Sequence, residues 1–282
     1  MPGLTSPFSH AITPLSFDRT KLHRERLVDL LHSQLPCKLV AIVAPPGYGK
    51  SALLADFAAH TELPVCWVRL SEADADVMRL ASVMAASLQK RFRRLRGRPD
   101  LAALAGSAPQ ALARAFVELI EELIPEPFML ALDDIHLVNA SQAVMTFLDA
   151  FVEEQPAHLT LIVTGRQLPE ISLARLVVDA EMAGIGAHDL ALTREELASL
   201  ARIRLGSDLP EEDLTRLLEE TQGWISGILL SPILTRGTTG ALPQRAQPMV
   251  YEYLAAVILD QQPDELVRFM RSEEHTSELQ SR

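Results

Sequence analysis

The stretch from Lys38 to Ser51 constrains this chain more than any other. KLVAIVAP (38–45) is a short, unbroken apolar run with β-branched residues, which predicts a strand buried on both faces. It passes directly into Ala44-Pro45-Pro46-Gly47-Tyr48-Gly49-Lys50-Ser51, after which Leu53, Leu54, Phe57 and Ala58 recur at helical spacing over 51–59. Strand, glycine-rich loop, Lys-Ser and helix, in that order, are the context of a phosphate-binding Walker A loop. Gly47 and Gly49 let the main chain curl so that successive N–H groups converge on one anion. A helix starting near Lys50 adds its free N–H groups and the positive end of its dipole. Lys50 is then the cation for the β- and γ-phosphates, and the Ser51 hydroxyl a ligand for Mg²⁺. Pro46, Tyr48 and Ala52 complete the residues expected against the nucleotide. The loop departs from the usual pattern at its first glycine, which is Ala44 here. Ala is small, and the two glycines nearest the lysine remain. No base-reading motif for guanine is visible, which favours ATP and ADP as the nucleotides.

Apolar runs alternate with helical patterns over the next 140 or so residues. PVCWVRL (64–70), FMLALDD (128–134) and LTLIVTGR (159–166) predict three more buried strands, with a fifth near 185–192. Helical stripes lie between them: Leu80, Val83, Met84 and Leu88; Leu112, Phe116, Leu119, Ile120 and Leu123; Val144, Phe147, Leu148, Phe151 and Val152. This alternation predicts an α/β fold, a P-loop parallel sheet with helices on both faces, over 21–192. From Thr193 the pattern is helical, predicting a small all-helical domain over 193–270 with a loop at 235–248. Residues 1–20, rich in Pro, Ser and Thr, read as a leader with little structure.

FMLALDD ends in two acids about eighty residues after Lys50, a spacing that P-loop proteins use. At the carboxyl end of a parallel strand, Asp133 can hold the metal through its water shell, and Asp134 can orient the attacking water. Arg166 ends the next strand. It either senses the γ-phosphate from the same edge of the sheet or caps the strand at the surface, and its neighbour Thr164 is a weaker candidate. The basic run 89–98 reads as the solvated end of a helix, where cations suit the dipole, rather than as a nucleic-acid surface. His136 reads as a packing or orienting residue, since no metal-ligand spacing surrounds it. Trp67 and Trp224 read as core anchors.

With Lys+Arg 26 against Asp+Glu 37, the net charge of −11 argues against non-specific binding of nucleic acid. Cys37 and Cys66 lie in or beside apolar runs and read as buried thiols in a reducing cytoplasm, not as a disulfide framework. The N-terminus has no secretory pattern, and no run approaches the length of a membrane span.

The set APPGYGKS, MLALDDIH, LIVTGR, LTREEL and TQGWISGILL resembles the STAND NTPases, most of all the large ATP-dependent LuxR-type transcriptional regulators typified by the maltose-regulon activator. The resemblance runs from about Leu15 to Met270. It implies a bacterial, cytoplasmic switch that rests with ADP, exchanges it for ATP when an inducer binds, self-associates, and is reset by slow hydrolysis. Carried over by position, it assigns Lys50 and Ser51 to phosphate and Mg²⁺, and Asp133 and Asp134 to the Walker B pair. Arg166 takes the place of the arginine after the fourth strand, and Arg24 and Arg26 that of a basic segment near the adenine. Gly223 falls at the nucleotide-near turn of the helical domain, where the family often has Gly-x-Pro and this chain has Gly223-Trp224-Ile225. The resemblance also implies that inducer and DNA are bound by later domains, a helical-repeat sensor and a helix-turn-helix. RSEEHTSELQSR (271–282) resembles a translated sequencing-library adapter, so the helical domain is expected to be incomplete. The alternatives are a P-loop ATPase of another class, an AAA+ or DNA-processing type, and a nucleotide-gated scaffold without useful turnover.

Overall fold

A computed structural model describes residues 8–15, 17, 21–95 and 108–235. The expected elements beyond Thr235, the proposed adapter tail, and the end of the basic run (96–98) lie outside the described residues. The chain divides into two compact units, one of Met1–Ala44 with Tyr48–Ala191, the other of Pro45–Gly47 with Leu192 onward.

The first unit runs α1 (Glu25–Gln34), β1 (Leu39–Val43), α2 (Lys50–His60), β2 (Val65–Arg69), α3 (Val77–Arg91), α4 (Pro109–Leu123), β3 (Phe128–Asp133), α5 (Gln142–Glu154), β4 (Leu159–Gly165), α6 (Leu173–Val178), β5 (Met182–Ile185) and α7 (Ala187–Leu190). The five strands form one sheet in the order β2-β3-β4-β1-β5. Every pair is parallel: Val43 faces Gly165 across β1 and β4, and Leu132 faces Val163 across β3 and β4. A parallel sheet needs crossover helices, and these cover both faces. Each strand therefore feeds two cores in alternation. Leu39, Ala41, Leu130, Leu132, Leu161 and Val163 pack with α3, α4 and α5. Val40, Ile42, Met129, Ala131 and Ile162 pack with Leu27 and Leu31 of α1 and Leu53, Leu54 and Phe57 of α2. This is why the strands read as continuous apolar runs rather than as alternating ones.

Three expectations shift. The fifth strand lies at Met182–Ile185, earlier than 185–192, because Gly186 ends it and its N–H donates to Asp189, opening the one-turn helix α7. The Pro/Ser/Thr-rich start is not structureless throughout: residues 8–13 form turns, Ile12 is buried in the first core, and Arg69 N–H donates to Ala11 O at 2.7 Å. Cys66 is buried as expected, but Cys37, just before β1, is only half-buried. Among the described residues, no helix is long and apolar enough to cross a membrane.

In the second unit, Thr193 and Glu196 form a capping box that starts α8 (Arg194–Leu205). Gly206 ends it in the left-handed conformation at φ +70°. Then come α9 (Glu211–Thr221), α10 (Ile225–Leu230) and α11 (Pro232–Thr235), with Leu197, Leu214, Leu217 and Ile228 buried between them.

Candidate nucleotide-binding site

The strand order sets the site. β4 lies between β3 and β1, so the carboxyl ends of three neighbouring strands present Asp133, Thr164 and the exit to the phosphate loop in one row. Open parallel sheets bind ligands at such edges.

Within the first unit, Gly49 stands at the N-cap of α2 with φ +80°, a conformation that costs glycine little. Lys50 follows, 8% exposed, its ammonium donating to Ala44 O at 2.7 Å. Burial pushes its pKa below the ordinary lysine value; Asp134 and Asp133 pull it back up, and Arg166 pushes it further down. Ser51 donates from Oγ to Asp133 Oδ1 at 2.8 Å, and Thr164 donates from Oγ1 to the same oxygen at 2.5 Å. The Asp134 N–H donates to Thr164 Oγ1 at 3.2 Å. Thr164, a weak candidate from the sequence, thus ties the two acids together. Its signal was a hydroxyl interrupting an otherwise apolar strand, LIVTG.

Asp133 is fully buried, and burial raises its pKa above the usual carboxylate range despite the hydrogen bonds from Thr164 and Ser51. Its Oδ2 has no hydrogen-bond partner among the described residues; the nearest cation, Arg69 Nε, stands 3.8 Å away. A buried carboxylate oxygen without a donor beside a serine hydroxyl is a donor set that fits a hard divalent cation. The residues therefore fit Mg²⁺, with Ser51 and Asp133 as its holders.

Asp134 adopts the left-handed conformation at φ +67°, which turns the chain into a single 3₁₀ turn, Ile135–Leu137, and leaves its side chain 36% exposed. His136 Nδ1 lies 4.0 Å from Asp134 Oδ1. Burial, Arg166 and Lys50 hold its pKa below the ordinary histidine value, against the pull of Asp134. Arg166 is exposed at the end of β4, and its charge acts on both Lys50 and His136. The structure thus brings Lys50, Ser51, Asp133, Asp134 and Arg166 together. Tyr48 packs against the α1–α2 core, and Ala52 is exposed on the first turn of α2. Arg24 is buried, and its guanidinium donates to the carbonyls of Leu190 and Ala191 at 2.9 and 3.0 Å. Arg26 donates to Asp189 O at 2.8 Å. Both arginines anchor the start of α1 to the α7 region.

In the second unit, Gly47 has φ +83°, and a Cβ there would stand 2.5 Å from Ser226 Oγ and 2.6 Å from Trp224 Nε1. The Trp224 indole donates to Pro46 O at 3.0 Å, and Ser226 N–H donates to Gly47 O at 3.1 Å. Trp224 is therefore not simply a core anchor: its polar edge holds Pro46. Gly223, at φ +75°, accepts a hydrogen bond from Leu192 N–H through its carbonyl.

A family model, AAA ATPase domain, matches residues 21–163. The chain belongs to this family. It is also similar to the HTH-type transcriptional regulator MalT of Cronobacter sakazakii, 32% identical over 238 residues, which is 83% of this chain and 26% of that protein. MalT of Klebsiella pneumoniae is 29% identical over 261 residues, 88% of this chain and 28% of its own length. The chain is a MalT-like P-loop ATPase module that spans about a quarter of the length of these relatives. Among solved structures, the Walker-type ATPase PABY2304 of Pyrococcus abyssi has the same fold, with a TM-score of 0.56 at 17% identity over 93% of this chain and 79% of that one.

Proposed function

We propose that this module binds ATP with Mg²⁺ and hydrolyses it slowly, as the nucleotide switch of a cytoplasmic bacterial transcription regulator. The observation that carries the reading is the buried Asp133, held by Ser51 and Thr164, with one oxygen left without a donor. In this reading the ammonium of Lys50 binds the β- and γ-phosphates, and Gly49 and the first N–H groups of α2 face the same anion, with Pro46, Gly47, Tyr48 and Ala52 along the loop. Ser51 and Asp133 hold Mg²⁺, which neutralises charge on the phosphate oxygens when bound. Asp134 orients the attacking water, and Arg166 offsets charge developing on the γ-phosphate. Arg24, Arg26 and Gly223 are proposed to lie toward the nucleoside, by their place in the family pattern.

Similarity to MalT supports the regulatory part of the reading. Self-association in the ATP state, and binding of inducer and DNA through further domains, belong to the same proposal. The test pairs two variants in calorimetric ATP titration and steady-state turnover. Lys50→Ala should abolish binding, because it removes the loop's cation. Asp134→Asn should keep binding and slow hydrolysis by about tenfold or more. Normal ATP affinity in the Lys50 variant would sink the site assignment, and fast turnover of the unmodified chain without an effector would sink the switch.

A further inference from the structure

Away from the phosphate loop, at the other end of α2, His23, Asp56 and His60 bring their ligand atoms within 4.8 Å of one another. Asp56 and His60 lie four residues apart on one face of the helix. His23 arrives from the segment just before α1. Asp56 Oδ1 faces both imidazoles, 2.7 Å from His23 Nδ1 and 3.0 Å from His60 Nδ1. Its other oxygen accepts the Arg24 N–H at 2.7 Å, which fixes the carboxylate so that Oδ1 stays turned to the histidine pair. The carboxylate is 2% exposed, whereas the two imidazoles are 41% and 40% exposed. The rings lie nearly face to face, centroids 4.0 Å apart and tilted by 31°.

We infer that His23, Asp56 and His60 form a binding site for a divalent transition-metal cation of the zinc class. Two imidazole nitrogens and one carboxylate oxygen suit such ions, whereas Mg²⁺ and Ca²⁺ favour all-oxygen sets. Ligands of a tetrahedral zinc stand about 3.3 Å apart, so small ring rotations bring this cluster to the required spacing. Asp56 Oδ1, shared by the two closely stacked imidazoles, gathers three ligand atoms around one point, where a single divalent ion can replace their contacts with one another. The Arg24 N–H acts as the outer contact that aims the carboxylate ligand. The half-exposed imidazoles leave a solvent-facing side through which the ion enters and where a water completes the coordination. His60 Nδ1 also lies 2.8 Å from Asp56 O, a contact it gives up when it turns its lone pair to the metal. The bound ion clasps the segment before α1 to the end of the helix whose first residues are Lys50 and Ser51.

The test uses the untagged full chain without nucleotide, in excess Mg²⁺, titrated with Zn²⁺, and with Co²⁺ as a spectroscopic probe. The unmodified chain should bind one equivalent of Zn²⁺, melt at higher temperature with it, and show a visible cobalt absorption band. His23→Ala and His60→Ala should each weaken zinc binding by at least about tenfold and remove the band. His188→Ala, on an exposed residue outside the cluster, should change nothing. No binding by the unmodified chain, or equal affinity in the His23 and His60 variants, would overturn the inference. Because no nucleotide is present, neither outcome depends on the ATP reading.

Discussion

Replacing Thr164 by Val tests the tie between the two acids at almost constant side-chain volume. Thr164 is fully buried, so the change removes one hydroxyl without opening a cavity. Two interactions go with it: the hydrogen bond to Asp133 Oδ1 at 2.5 Å and the one received from Asp134 N–H at 3.2 Å. A hydrogen bond to a charged group contributes about 1.5–3 kcal/mol, and a donor left unmatched costs about 1–3 kcal/mol. The low end applies to the second, because Asp134 is only partly buried. The expected loss is about 2–4 kcal/mol, which for a chain of this size lowers Tm by roughly 5–15 °C. Calorimetric melting of the nucleotide-free chain measures it. Thr164→Ser keeps the hydroxyl and should lose only about 1 kcal/mol for its methyl group. In an Asp133→Asn background the Thr164→Val effect should shrink, giving a coupling of at least about 1 kcal/mol. A Thr164→Val protein that melts with the unmodified chain, or the same loss in both backgrounds, would refute the argument.

Asp133→Asn should stabilise the nucleotide-free chain near neutral pH by about 1 kcal/mol, while weakening its response to Mg²⁺. The sign follows from the raised pKa of Asp133. The folded state favours the protonated acid, so stability is fullest below the ordinary value of 3.8 and declines as pH rises through the raised value. Melting temperature against pH should show that decline in the unmodified chain and lack it in the variant. Gly47→Ala should cost at least about 2 kcal/mol, from its positive φ and from the clash with Ser226 and Trp224. Adding Ser226→Gly should recover only the part of the loss that comes from Ser226, leaving the Trp224 contact and the backbone strain, and denaturant melts of the single and double variants measure that part. Trp224→Phe removes the donor to Pro46 O and should cost about 1 kcal/mol, measured in the same way.

The continuous apolar runs made the first four strands, β1 to β4, legible to within a residue or two, because burial on both faces removes polar positions from a strand. The Lys50, Ser51 and Asp133 assignments rested on loop chemistry and order along the chain, and the structure places these residues together. Sequence reasoning misplaced β5, whose four residues carry no long apolar signal; the run near 190 that it followed belongs to α7 and the residues after it. Ile12 was missed because one apolar side chain in a Pro/Ser/Thr-rich stretch has no periodicity to reveal its burial. Thr164 was undervalued because a hydroxyl at a strand end takes its meaning from Asp133, a neighbour across the sheet. His23, Asp56 and His60 went unnoticed since only the packing of α1 against α2 brings them together.

Because all five strands point the same way, their amino ends lie together on the rim opposite the candidate site. Cys37 lies there, half-buried before β1, roughly 20 Å of strand from the residues after Val43. Cys66, the chain's only other cysteine, is buried, and burial pushes its thiol up to about 12, far from the reactive thiolate. The protein therefore carries a natural handle for a fluorophore or a surface tether at Cys37, one that reports on the module from behind without intruding on the nucleotide edge.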